Sequence, residues 1–476
     1  MLIVGRLSSD ISCVEKESIM SEKVSKLSEN KMGVVSVGKL LFSMAVPMMI
    51  SMLVQAFYNV VDSIFVARIS ENALNAVSLA FPLQNLMIAF GTGTAVGMNA
   101  LLSRSLGAKN QDDADRAANT AIFLAICNSV VFALVGIFLA KPFFLAQTEI
   151  QEIVNYGTDY AKVCLSFSFG LFFQVCFERL LQSTGRTSLA MCTQLIGAVI
   201  NIILDPILIF GLLGFPKMGV KGAAIATVTG QIVAAIVAVI INIKANPDIH
   251  INVKHIRWHT QTVIEIYKVG LPSIVMQSIS SVMTFGLNKI LIGFTETATA
   301  VFGAYFKLQS FIFMPVFGLN NGMVPIISYN YGAKNSARVK KTVKLTILTS
   351  VCIMAVGTLL FECIPEVLLT LFNASENMLV IGVPALRIIA IHFMLAGVGI
   401  IASSVCQAIG NPMHSLLTSV CRQLIVLLPV AWILSKTGVL DAVWFAFPLA
   451  EVFSMILSII FLSKTMKKAN KIMNDL

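Results

Sequence analysis

The sequence predicts an all-α membrane protein of about twelve transmembrane helices in two six-helix lobes related by a parallel internal repeat. Three observations carry this. Hydrophobic residues make up 57% of the 476 and charged residues only 12%, against roughly 25% charged in a soluble domain. Apolar runs long enough to cross a bilayer, about 20 residues at 1.5 Å each, recur along nearly the whole chain after residue 39. Landmarks of the first half also return at a fixed spacing in the second.

A chain of mean hydropathy +0.85 cannot hide its apolar surface in one soluble core, so the bilayer is its solvent. Residues 1–38 differ: Glu15, Lys16, Glu17, Glu22, Lys23, Lys26 and Glu29 make a polar stretch that reads as a disordered cytoplasmic tail. The nine cysteines include no C-x-x-C pair and fall mostly inside apolar runs, as small packing residues do. The net charge of +10 comes from basic residues at the ends of apolar runs, so nucleic acid is not an expected partner.

Runs bounded by charge, Gly or Pro place the first six spans near residues 40–68, 76–103, 117–140, 157–181, 188–213 and 221–243. The second six lie near 269–293, 299–330, 342–361, 379–408, 414–435 and 442–463. The expected units are therefore a polar tail (1–38), a first lobe (39–243), a linker (244–268), a second lobe (269–463) and a basic tail (464–476).

Basic residues set the expected orientation. Arg104, Lys109, Arg116, Arg186, Lys244, Lys254, Arg257, Lys268, Lys334, Arg338, Lys340, Lys341 and Lys344 all fall on one side, with Lys464, Lys467, Lys468 and Lys471 of the tail. The positive-inside rule puts both termini in the cytoplasm of a multi-pass cell-membrane protein.

The repeat pairs Pro47 with Pro272, Gln84 with Gln309, and Gly107-Ala108-Lys109-Asn110 with Gly332-Ala333-Lys334-Asn335, each at the offset 272 − 47 = 225. Gly93 and Gly318, Gly97 and Gly322, Gln182 and Gln407, and Gly185 and Gly410 keep the same register. Six spans per copy give both copies one orientation, a transporter architecture with the substrate site between the halves. The glycine pairs read as points of close helix approach.

Polar groups inside a span are costly and mark function. In the first span Gln55, Asn59 and Asp62 share one helical face; in the fifth, Asn201 and Asp205 stand one turn apart. Pro206 then frees the carbonyl of Ile202. Such a cluster serves a hard cation such as Na⁺, which takes oxygen ligands, or a proton. A structural alternative pairs Asp62 with Arg68. At the repeat offset the second half has Leu287 opposite Asp62, with Asn288 adjacent, and Val426 and Val430 opposite Asn201 and Asp205, so coupling chemistry belongs to the first half. Glu178 and Arg179 are expected to reach the interface, and Glu451 to face inward with no partner named. Gln277 and Gln309 join Gln55, Asn59 and Asn288 as candidates to line a substrate cavity. H-E-x-x-H, G-x-S-x-G and a Walker loop are absent, which speaks against an enzyme.

From about residue 39 to 464 the chain resembles bacterial transporters of the multidrug and toxic compound extrusion (MATE) family, in particular its DinF-like and MepA-like branch. The resemblance is carried by Pro47 with Asp62, the Gly107 to Asn110 turn and its copy, the Gln182 to Gly185 segment and its copy, and Asn201 with Asp205. It implies a V-shaped pair of lobes around a central cavity. It implies export of amphipathic, often cationic organic compounds against Na⁺ or H⁺ by a functional monomer, with no other cofactor. It also implies a first-lobe cation site of Asp62, Asn201 and Asp205, joined by Thr227 and the carbonyl of Ala223. Some branches of the family carry acids in the seventh and tenth spans, and this chain has none there. A lipid-linked oligosaccharide flippase on a related scaffold is the alternative, which extra spans and a wider, more basic cavity would mark; a polytopic membrane enzyme is a more distant one.

Overall fold

Within a bilayer every backbone N–H and C=O must be satisfied inside its own segment, which leaves the helix as the spanning element for such apolar runs. The computed structural model describes residues 30–372 and 374–474, and these are helical almost throughout. The first half comprises α1 (Lys31–Val34), α2 (Val37–Ala67), α3 (Glu71–Gly107), α4 (Gln111–Phe138), α5 (Ala140–Leu145), α6 (Gln151–Ser166), α7 (Phe169–Ser183), α8 (Thr187–Phe210) and α9 (Val220–Ala245). The second comprises α10 (Thr260–Leu291), α11 (Glu296–Gly332), α12 (Ser336–Cys363), α13 (Pro365–Thr370), α14 (Glu376–Ala390), α15 (Phe393–Ala408), α16 (Pro412–Ser435) and α17 (Leu440–Asn474). Among the described residues ten helices are long and apolar enough to cross a membrane. The bent pairs α6–α7 (45°) and α14–α15 (48°) supply one broken span each, which makes twelve.

The repeat extends to the helix ends. Helices α3, α4, α5 and α8 reappear as α11, α12, α13 and α16 with both termini displaced by 225, as from Glu71 to Glu296. The repeated Gly-Ala-Lys-Asn turn has one geometry in both copies. Lys109 and Lys334 hold left-handed backbones (φ 57° and 55°), and Asn110 and Asn335 then cap the next helix by accepting from the N–H of Asp113 and Arg338, both at 3.1 Å.

Several expectations need correction. The fourth and tenth spans, read as continuous, are broken at residues 167–168 and 391–392. Neither break contains Gly or Pro. Ser168 Oγ instead donates to the Ser129 carbonyl of α4 at 3.2 Å, His392 Nδ1 contacts the Ile389 carbonyl, and the backbone at both points tightens to three-residue bonds. The polar tail lies outside the described residues up to residue 29, but residues 31–34 and 37–38 are helical, with Met32 fully buried. The linker is shorter than expected, because α10 begins at Thr260. Its residues dock on α4, where the His250 N–H donates to Asp115 (2.7 Å) and the Asn252 N–H to Asn119 (3.0 Å). The basic tail continues α17, since Thr465, Ala469 and Met473 recur every four residues and pack inward.

The halves meet through α3 with α10 and α2 with α11. At Gly97 a Cβ would strike the Ile266 backbone, and at Gly322 it would lie 2.7 Å from the Ala45 Cα, so these helices touch backbone to backbone. At Gly107 and Gly332, α3 and α11 cross in the same way. All these crossings lie in the halves of the helices nearer the face that carries both described ends of the chain. An Arg104–Glu265 ion pair (3.2 Å) joins the halves there. Toward the opposite face Asn85 Nδ2 donates to Ser281 Oγ (3.1 Å) across the lobes, and a cavity of about 720 Å³ lies between α10 and α11, lined by Thr284, Phe285, Asn288, Phe302 and Phe306.

Candidate functional site

Two helices of the first half approach closely because both are bare at one point. A Cβ on Gly230 of α9 would lie 2.6 Å from the Gly197 carbonyl oxygen of α8. One turn beyond Gly197 on the same face is Asn201, whose Nδ2 reaches Thr227 Oγ1 of α9 at 3.3 Å and Asp205 Oδ1 at 3.4 Å. The Asp205 carboxyl lies within hydrogen-bonding reach of Asp62 on α2. Three helices therefore converge on one cluster, with Asp205 fully buried and Asn201 3% exposed. Ala223 is buried one turn before Thr227, and Pro206 sits within α8 directly after Asp205.

The cluster has unspent acceptors. Asp62 Oδ1, Asn201 Oδ1 and Asp205 Oδ2 are each buried and take part in no hydrogen bond. Buried polar atoms are nearly always partnered, and three such oxygens from three side chains match what a hard cation or a shared proton needs. The donor set is oxygen only, and it fits Na⁺ in kind.

A cavity of about 150 Å³ lies beside the cluster, lined by Gln55, Tyr58, Gln174, Glu178, Asn201 and Thr227 among others. Glu178, expected at the interface, is instead buried, accepting from Gln174 Nε2 (3.0 Å) and Thr193 Oγ1 (3.3 Å). Arg179 is also drawn inward, where its Nη1 donates across the lobes to Asn321 Oδ1 at 3.0 Å. Both corrections have one cause: α7 is packed among α9, α3 and α4, and these side chains turn toward the cavity between the lobes.

Of the other candidates, Gln55 accepts from Gln194 Nε2 (3.3 Å), Gln277 accepts from Thr92 Oγ1 across the lobe interface (2.9 Å), and Asn288 lines the second-lobe cavity. Asn59 is exposed on α2, and neither it nor Gln309 lines these two cavities. Asn59 fails because it stands about 60° around the helix from Asp62 at 100° per residue. Among the described residues Asp62 makes no ion pair with Arg68. Glu451 has a partner the sequence did not reveal: Arg422, at 3.2 Å, on the π-helical stretch Cys421–Leu427 of α16.

The MatE family model matches this chain twice, over residues 47–207 and 272–433. The chain belongs to the MatE family. The two matches of this MatE chain begin 225 residues apart (272 − 47), the offset of its helices. It is 28% identical to the multidrug export protein MepA of Staphylococcus haemolyticus over 412 residues, covering 86% of this chain and 90% of that one. It is 26% identical to MepA of Staphylococcus aureus strain NCTC 8325 over 415 residues, with 85% and 89% covered. Among solved structures, it is similar to an outward-facing multidrug resistance MATE transporter of the MOP superfamily, at a TM-score of 0.88, 25% identity and 93% and 99% coverage. A MOP superfamily transporter from Pyrococcus furiosus gives 0.86, 25%, 93% and 99%.

Sequence reasoning missed Tyr58, Gln174 and Gln194 of this MatE site. A signal existed for all three. Tyr58 and Gln174 stand four residues before Asp62 and Glu178, and Gln194 stands seven before Asn201, on the same helical faces.

Proposed function

We propose that this chain is a multidrug exporter of the cell membrane that exchanges Na⁺ or H⁺ for amphipathic, often cationic organic compounds by alternating access. The three unpartnered buried oxygens of Asp62, Asn201 and Asp205 carry the proposal. Export by the MepA relatives supports it, and a transporter rather than an enzyme is what this family supplies. Two carboxylates sharing a buried site repel each other, so a proton or a cation between them relieves the repulsion. The neighbouring cavity offers Glu178 to a cationic substrate and the Tyr58 ring to its apolar part. Tyr58 lies within electrostatic reach of Asp62, Glu178 and Asp205, which links the two sites.

The face carrying both described ends is taken as cytoplasmic, because the basic residues gather there. The glycine crossings then close the cytoplasmic side and leave the outer side open. The working unit in this reading is a monomer with no cofactor beyond the coupling ion. Binding of ion and substrate to oppositely open states couples them, since a ligand shifts an equilibrium only through its differential affinity. Drug efflux from proteoliposomes under separately imposed Na⁺ and pH gradients tests the proposal. Equal efflux with neither gradient would overturn it.

A further inference from the structure

The four-residue helix α1 is far too short to hold together alone, yet it is tied to both halves of the molecule. On one side, Asn30 Nδ2 donates to the Thr184 carbonyl (3.1 Å) and to Asp248 Oδ1 (3.3 Å). Both acceptors belong to the first lobe and the linker docked on it, and Asp248 is itself held by Arg186 Nη2 at 2.8 Å. On the other side, Arg338 at the start of α12 donates from Nη2 to the carbonyls of Met32 (2.9 Å) and Val35 (2.6 Å). Its Nε holds Asn330 Oδ1 at 3.0 Å, and Asn330 Nδ2 donates to the same Met32 carbonyl at 3.1 Å. The carbonyls of Met32 and of Val35, just past α1, lie at the two-residue break before α2, and the guanidinium there satisfies them. Met32 is fully buried in the apolar core of the second lobe.

The repeat gives this arrangement its meaning. A short helix, Val253–His255, also precedes α10, three residues ahead of the repeat register, and it follows linker residues that dock on α4 of the first lobe, while α1 docks on α12 of the second. The Asn30–Asp248 bond joins these two docked segments across the joint between the lobes. If the lobes part at this face, the Asn30 bonds or the Arg338 bonds must break.

We propose that residues 30–35 are a latch between the lobes, with Asn30 and Arg338 as positioning residues that hold the terminus-bearing side closed and so set the conformational equilibrium of export. This deepens the alternating-access reading and rests on it for its purpose, but not for its test.

The test uses the full chain with its nine native cysteines replaced and spin labels at Asp112→Cys and Lys340→Cys, both on exposed positions that flank the joint. Distances are read by pulsed electron resonance without substrate or gradient. The parent should give mainly the short, lobes-together distance. Asn30→Ala and Arg338→Ala should each raise the longer-distance population by about tenfold, the scale of one lost charge-assisted bond, and Arg338→Lys should restore part of the parent distribution. Unchanged distributions in folded Asn30→Ala and Arg338→Ala would overturn the latch. If Arg338→Ala does not fold, Asn30→Ala decides alone, because it deletes the two first-lobe bonds and the Met32 N–H to Asn30 Oδ1 cap of α1 (3.0 Å) while leaving every Arg338 bond in place. A failure of drug efflux would leave this readout unaffected.

Discussion

The Asp62 carboxyl of α2 reaches the Asp205 carboxyl of α8, and each keeps one buried oxygen without a hydrogen-bond partner. This pairing makes the charge of Asp205, rather than its shape, the quantity to change. Asp205→Asn should keep the fold and measurable substrate binding while gradient-driven efflux falls to the level of protein-free vesicles, and Asp62→Asn should behave alike. Flux in proteoliposomes together with binding in detergent checks both. Wild-type Na⁺ and pH dependence in the Asp205→Asn protein would move the coupling site elsewhere, with Glu178 and Glu451 next in line.

The second lobe has Asn288 beside the position that matches Asp62, on the wall of a phenylalanine-rich cavity. Asn288→Ala should alter the relative rates for different drugs and leave the ion dependence of efflux intact. A loss of coupling as large as that of Asp62→Asn would show that the two lobes share the chemistry.

Backbone contact at the lobe crossings predicts intolerance of a single methyl group. Gly97→Ala should lower stability by about 1–3 kcal/mol, the usual cost of overpacking. Gly303→Ala, with nothing within 4 Å of the added carbon, should be neutral or stabilising by about 0.5–1 kcal/mol. Thermal melting in detergent compares them, and equal melting points would contradict the crossing.

The Arg422–Glu451 pair, with Glu451 buried and Arg422 half-buried, gives a prediction with an internal control. Arg422→Met alone leaves Glu451 unpaired in an apolar lobe and should cost about 3–5 kcal/mol, whereas Arg422→Met with Glu451→Met should recover most of the loss. A double variant no more stable than the single one would mean that the pair does more than neutralise itself.

Topology is open to labelling. Residues 110 and 335 should react with an impermeant thiol reagent from the cytoplasmic side, and residues 150 and 375 from outside. Opposite sides for 110 and 335 would contradict the parallel repeat.

The fold was legible because a bilayer makes the sequence say it twice. Apolar runs must be helices, and one offset predicted that Lys334 would copy the turn at Lys109. What could not be read depends on neighbours distant in sequence. The break at Ser168 needs the Ser129 carbonyl, the burial of Glu178 needs α9 and α3, and the order at Met32 needs Arg338, 306 residues away. The acids of the site were visible since charge is rare in a span, whereas Tyr58 and Gln194, though on the same helical faces as Asp62 and Asn201, carry no charge to single them out. Asn59 shows the opposite error, a helical stripe extended one residue too far around the cylinder.

That the acid pair occurs in only one of two otherwise matching lobes places a ceiling on the work the molecule can do. With the proton as coupling ion, the two carboxyls of this site can release at most two per cycle. One proton exchanged for one neutral substrate sustains a tenfold accumulation for each unit of pH difference, and two protons sustain a hundredfold, about 1.36 kcal/mol per proton in either case. A chain with such a pair in both lobes could trade kinetic ease for steeper gradients, while a single proton-carrying pair would move its cargo up a modest hill at low ionic cost.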